Sequence, residues 1–193
     1  PPRSTLFPYT TLFRSTPEAV KLLRLCLTDA ALEVRYSAHS ALTVIEEGHT
    51  RRIAEAKERA EAGEKGARKD LGLACLAYAT SGLPEEALAA HYLGAAREAL
   101  AAAQAESPGD ADLDLRLGEV ALRAGDPAGA AAAFGRVPPD SPQFFEALLG
   151  LCRLHFEGDD YGALAQDVAR LRQLPPPPAD HPNHSVYRFW TAQ

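Results

Sequence analysis

The sequence predicts an all-α protein, an α-solenoid of helical hairpins. Three observations carry that expectation. Apolar residues recur at steps of three and four along nearly the whole chain, with no alternating stretch that would make a strand. Alanine is about a fifth of the 193 residues, which favours closely packed helices. The helical stretches are separated at short intervals by Gly/Asp/Pro turns such as Gly125-Asp126-Pro127 and Gly158-Asp159-Asp160.

Thr16-Pro17-Glu18 reads as a helix start, with a capping threonine, a proline in the first turn and an acid beside the helix N-terminus. A second helix is expected from Leu32 to Ala62. Its stripe is Val34, Ala38, Leu42, Ile45, His49, Ile53, Ala56 and Ala60, and its second half is charged all round. Gly63 is placed to end it. Further helices are expected at about 68–80, 84–105, 111–124, 128–136, 142–156 and 161–174. Pro175 to Pro178 reads as a stiff spacer, and Val186, Tyr187, Phe189 and Trp190 as the start of another helix.

The hairpins repeat. Gly125 and Gly158 mark equivalent turns, and each is followed five residues later by an alanine, Ala130 or Ala163. The spacing of those glycines is close to the period of the tetratricopeptide repeat, about 34 residues. The best unit, 111–144, carries Leu117-Gly118, Gly125, Ala130, Phe134 and Pro142. Small residues at Gly118 and Ala130 would let two helices approach, with Phe134 filling the space between units. The next unit keeps Leu154, Gly158 and Ala163 but has Asp167 where an aromatic is usual. For the preceding unit two registers stay open. Either Tyr78, Gly82 and Ala87 set it, or Ala96, Leu100, Ala103 and Pro108 carry its second helix.

The opening hairpin, with Asp29 in its turn and Val34-Arg35-Tyr36-Ser37-Ala38 opening its second helix, resembles a HEAT repeat; a generic helical hairpin is the alternative. The expected organisation is a leader at 1–15, a HEAT-like hairpin at 16–63, tetratricopeptide-like repeats at 64–174, and the spacer with its following helix at 175–193. The leader is unlike the rest. Thr5–Ser15 resembles a translated sequencing adapter, whose codons give those eleven residues without a mismatch, so the native chain is expected to begin near Thr16.

The order of these features resembles the PelE family, the tetratricopeptide component of the Pel exopolysaccharide secretion machinery. The likeness rests on Val34-Arg35-Tyr36-Ser37-Ala38, Arg51-Arg52-Ile53, Leu76-Ala77-Tyr78 and Ser81-Gly82-Leu83 in sequence before the two repeat units. The resemblance implies an inner-membrane protein, anchored through a segment outside this stretch, that displays a helical scaffold on the cytoplasmic face to membrane synthase components.

Chemistry is sparse. The formal net charge of −6 argues against nucleic acid as the partner. No run of about 18 apolar residues is present, so no membrane insertion is expected within this stretch. Cys26, Cys75 and Cys152 read as small hydrophobes on helix faces, without metal or redox spacing. His181 and His184 stand in a loop motif with no third ligand in sequence. There is no phosphate loop, nucleophile elbow or zinc motif. The expectation is therefore a chain that is not an enzyme and takes no cofactor and no metal. Its partner-binding face would be lined by the first helices of the repeats: Leu115, Arg116, Glu119, Leu122 and Arg123, continued by Phe145, Leu149, Cys152 and His155. An extended or helical protein segment with apolar anchors is the expected ligand. The alternative is that the helix around Trp190 covers this face. Three functions stay open at this point: a scaffold in an exopolysaccharide complex, an accessory region of a larger enzyme, or a soluble peptide-binding regulator.

Overall fold

The computed structural model describes residues 16–192, so the adapter-like Thr5–Ser15 segment lies outside the described residues. Among them are nine helices and no strand. They are α1 (Pro17–Cys26), α2 (Leu32–Glu61), α3 (Ala67–Ala79), α4 (Glu86–Glu106), α5 (Ala111–Arg123), α6 (Pro127–Arg136), α7 (Phe144–Glu157), α8 (Tyr161–Leu171) and α9 (His184–Thr191). The described residues form two compact units, divided between Ala96 and Arg97 inside α4.

In the first unit the Thr16 hydroxyl caps α1 by accepting from the Ala19 N–H at 3.2 Å. The turn into α2 is closed by its own polar groups. Asp29 Oδ1 accepts from the Ala31 N–H, and Arg35 Nη1 donates to the carbonyls of Asp29 and Ala30. The Asp and Arg of the HEAT-like motif thus hold the hairpin's own turn. The expected stripe of α2 is seen with one exception, Val34, which is 38% exposed. α2 ends at Gly63, whose φ of +77° is open to glycine at little cost. α2 packs along α3, where Tyr78 is buried, donates to Glu46 Oε1 at 3.0 Å, and lies against the His49 and Tyr92 rings.

In the second unit α5 and α6 form one hairpin, α7 and α8 the next, and α7 packs on both α5 and α6. The two hairpin turns match bond for bond. Ala124 N–H to Val120 O, Gly125 N–H to Leu122 O and Asp126 N–H to Ala121 O are repeated by Gly158 to Leu154, Asp159 to Phe156 and Asp160 to His155. Asp126 and Asp160 each cap the following helix. The register therefore sets Gly125 against Asp159, which corrects the pairing of Gly125 with Gly158 by one position. The left-handed place in the second turn is held by Asp159 (φ +55°), matching Gly125 (φ +71°), because aspartate tolerates that conformation. Ala130 thus corresponds to Leu164, and Phe134 to Val168 rather than Asp167. Both Leu164 and Val168 pack against the core that contains Ala130 and Phe134.

The same period runs backwards. Ala96, Leu100 and Ala103 in α4 are buried one period before Ala130, Phe134 and Val137, which favours the second of the two registers left open for the preceding unit. α9 repeats α7, with His184 in the place of Phe144. Its lead-in turn, with His181 N–H to Pro178 O and His184 N–H to His181 O, copies Ser141 to Pro138 and Phe144 to Ser141.

Phe134 occupies the junction of the hairpins. A Cβ on Gly118 would collide with its ring, and one on Gly150 would lie 2.7 Å from it. Gly118→Ala and Gly150→Ala should each lower stability by about 1–3 kcal/mol, the usual cost of overpacking, against the gain in helix propensity. Gly48→Ala and Gly94→Ala, where no neighbour lies within 4 Å, should instead raise it by about 0.5–1 kcal/mol. Thermal melts of the four variants check the contrast.

His49 is buried and its Nε2 has no hydrogen-bond partner. Burial, and then the nearby Arg52, push its pKa below 6.5. Because the folded chain disfavours the proton, this site's contribution is complete above pH 6.5 and is lost as pH falls through the depressed value. His49→Leu should flatten the decline of the melting temperature between about pH 7 and pH 5. An unaltered decline would place the acid sensitivity elsewhere.

Candidate functional site

Stacking of the hairpins brings α5, α7 and α9 side by side as successive first helices. The nine residues expected on their common face do not share one fate. Leu115, Leu149 and Cys152 are 1%, 8% and 0% exposed and belong to the hydrophobic core. Phe145 is half-buried and packs edge-on to His181 and against Tyr187, so the segment leading into α9 and α9 itself lie over it. His155 turns toward α8, with Nδ1 2.8 Å from Asp167 Oδ2; Arg170 Nη1 approaches the other oxygen at 3.3 Å. Leu122 is half-buried against the core. Arg116, Glu119 and Arg123 remain reachable from solvent.

Arg116 is the centre of that accessible part. Its Nη1 donates to Glu119 at 3.0 Å, and its Nε lies 3.3 Å from Asp112 Oδ1. Partial burial works against its charge, but Glu119, Asp112 and Glu146 outweigh it and hold its pKa above the ordinary value. The corrected register puts Arg153, Phe156 and Glu157 on α7 where Glu119, Leu122 and Arg123 stand on α5. Arg153 Nε donates to Glu157 at 2.7 Å. The first-helix face is therefore a ladder of paired charges flanked by Phe156. The Arg153–Glu157 pair is exposed and worth about 0–1 kcal/mol, so a partner's charges can replace it at small cost, whereas the Arg116 pairs are half-buried.

Two positions without a signal in the sequence complete the framework. Asp114 is buried on α5 and accepts from Arg136 Nε at 2.6 Å and Gln104 Nε2 at 2.5 Å, tying the ends of α4 and α6 to α5. The role of Gly150 emerges only when α7 is seen against Phe134.

The described residues hold no group of three or more His, Cys, Asp or Glu that could bind a metal ion, and no helix long and apolar enough to cross a membrane. His181 Nδ1 lies 3.1 Å from the Asn183 N–H, and His184 Nδ1 lies 3.0 Å from the Pro177 carbonyl. Both Nδ1 atoms are thus engaged in holding the lead-in turn. Burial raises the Cys75 thiol, and burial together with the Asp167 charge pushes Cys152 up to about 12. Both stay protonated at neutral pH. A thiol-reactive disulfide reagent should therefore label the half-buried Cys26 first, with Cys75 and Cys152 reacting only on the unfolding timescale. Rapid labelling of all three would contradict their burial.

A tetratricopeptide repeat family model matches residues 87–153, from the first turn of α4 into α7. No curated protein and no solved structure matches the chain. With the shared register of the two hairpin turns, the match marks the chain as a tetratricopeptide-like helical repeat protein.

Proposed function

We propose that the chain is a non-catalytic scaffold for protein partners, working on the cytoplasmic face of the inner membrane in a Pel-type exopolysaccharide synthesis and secretion complex. Repeat proteins of this class generally act through protein–protein contacts, and the observation that carries the reading here is the charge ladder on the first helices. Asp112, Arg116 and Glu119 on α5 and Arg153 with Glu157 on α7 offer a partner a polar, exchangeable surface on a rigid support. The setting in exopolysaccharide export rests on the order of the opening hairpin, the long charged helix and the repeats. The partners of this reading are membrane synthase components.

Capture of detergent-solubilised synthase components by the purified chain tests it. Arg116→Gln and Arg153→Gln together should reduce capture about tenfold or more, with the helical circular dichroism retained at the temperature of the assay. Capture that is equal for the variant and the parent would remove the first-helix face from the reading, and no capture by the parent would remove the exopolysaccharide setting.

A further inference from the structure

A hollow of ≈ 560 Å³ opens on the second unit, beside the turn that joins α4 to α5. It is lined by Gln104 of α4, Pro108 and Gly109 of the turn, Asp114 of α5 and Arg136 at the end of α6. Its volume lies in the range of sites that hold a small molecule, roughly 300–1,000 Å³. Gly109 puts no side chain on the rim, and a Cβ there would meet nothing within 4 Å. Asp114 is the buried member at 4% exposure. Pro108, Gly109 and Arg136 are exposed around it.

The polar groups of this hollow are unevenly used. Both donors to Asp114 sit on one oxygen: Arg136 Nε at 2.6 Å and Gln104 Nε2 at 2.5 Å reach Oδ1. No described residue donates to Oδ2, and that oxygen is not among the polar atoms sealed from solvent. Arg136 Nη1 donates to the Ala132 carbonyl, which leaves Nη2 as the donor in hand. A guanidinium carries Nε and Nη2 along one edge, the fork that grips both oxygens of a carboxylate. Here only the Nε half of the fork is closed. Nη2 and Oδ2 are its open half, one donor and one acceptor on two planar groups already joined.

A group that closes the open half must accept and donate from neighbouring atoms. An ammonium has no acceptor for Nη2 and would face the Arg136 charge, and a carboxylate has no donor for Oδ2 and would face the Asp114 charge. A carboxamide has both, a carbonyl and an N–H on one planar end. A buried oxygen without a donor is costly, so a group that supplies one is selected over a group that cannot. Asp114 lies at the floor, where a side chain reaches and a main chain does not. The hollow is larger than one side chain, so the residues flanking that side chain enter with it.

We propose that this hollow is a binding site for a glutamine or asparagine side chain of a partner protein, its carbonyl accepting from Arg136 Nη2 and its N–H donating to Asp114 Oδ2. The flanking residues of the partner rest on Pro108 and Gly109. A protein segment is the occupant because repeat proteins of this class generally act through protein contacts. The site is separate from the charge ladder and does not require the exopolysaccharide setting.

The probes are three blocked amino acids, the N-acetyl N-methylamides of glutamine, glutamate and lysine, titrated into the ¹⁵N-labelled full chain. Nuclear magnetic resonance follows the side-chain signals of Gln104 and Arg136. Ligands of this size bind at about millimolar concentration, so the glutamine compound should shift both signals saturably in that range. The glutamate and lysine compounds should need at least tenfold more. Arg136→Lys keeps a cation beside Asp114 but has no second donor on a fork, and should weaken the glutamine compound at least fivefold with the helical circular dichroism retained. Equal half-points for the three compounds, a preference for the lysine or glutamate compound, or no saturable shift would overturn the proposal on the parent chain alone. Free L-glutamine binding as well as its blocked form would overturn the assignment to a protein segment. Arg116→Gln should leave the titration unaltered, so a failure here is separable from a failure of the charge-ladder reading.

Discussion

The second unit depends on one ring held between two glycines. Phe134 rises from α6 into the space between α5 and α7, and both neighbours give way to it by having no side chain at Gly118 and Gly150. The arrangement fixes the separation of three helices with a single residue. It is also unforgiving, because close-packed interiors have no spare volume into which a displaced ring can move. At the equivalent positions of the next hairpin the large member has shrunk to Val168 and the small one has grown to Cys152. What one helix gives up in volume the other takes on. That exchange explains why the second hairpin is harder to recognise from its residues although its turn has the same hydrogen bonds.

Polar groups then lock what the apolar contacts space. Asp114 is buried but doubly bonded, to Arg136 and Gln104, and His155 with Arg170 does the same for Asp167. Removing one member of such a set would leave a buried charge without its partner, the costly direction for a buried pair. His49 in the first unit is the contrary case, a buried imidazole whose Nε2 has nothing to bond, next to a tyrosine whose hydroxyl is satisfied by Glu46.

The helices are legible in the sequence because each begins or ends on residues with a local reason to do so: Thr16, Gly63, Asp110, Asp126 and Asp160 act within a few residues of themselves. The repeat period is legible to within one residue. The slip comes from aligning glycine with glycine, when the left-handed position has passed to Asp159. A slip of one residue turns a helix by about 100°, and it moves the expected binding residues of α7 from the outer face to the core. It selects Leu149 and Cys152, whereas the outward positions belong to Arg153 and Glu157. Burial of Asp114 is not legible at all, since it depends on Gln104 and Arg136 arriving from two other helices.

Phe144 and His184, which open α7 and α9, stand further apart in sequence than equivalent positions of the hairpin turns such as Val120 and Leu154. The difference is six positions, and they have a definite place. None lies within a helix or a helical hairpin turn. All fall between α8 and the lead-in to α9, in the stretch that holds the four prolines. Closing a somewhat longer loop costs only a few tenths of a kcal/mol, whereas one residue added inside a hairpin rotates every later contact. The chain thus separates two kinds of length. Within a hairpin, residue number encodes which side chain faces which. Between hairpins it encodes only distance, so that joint is where the array can gain or lose residues and still keep its faces aligned.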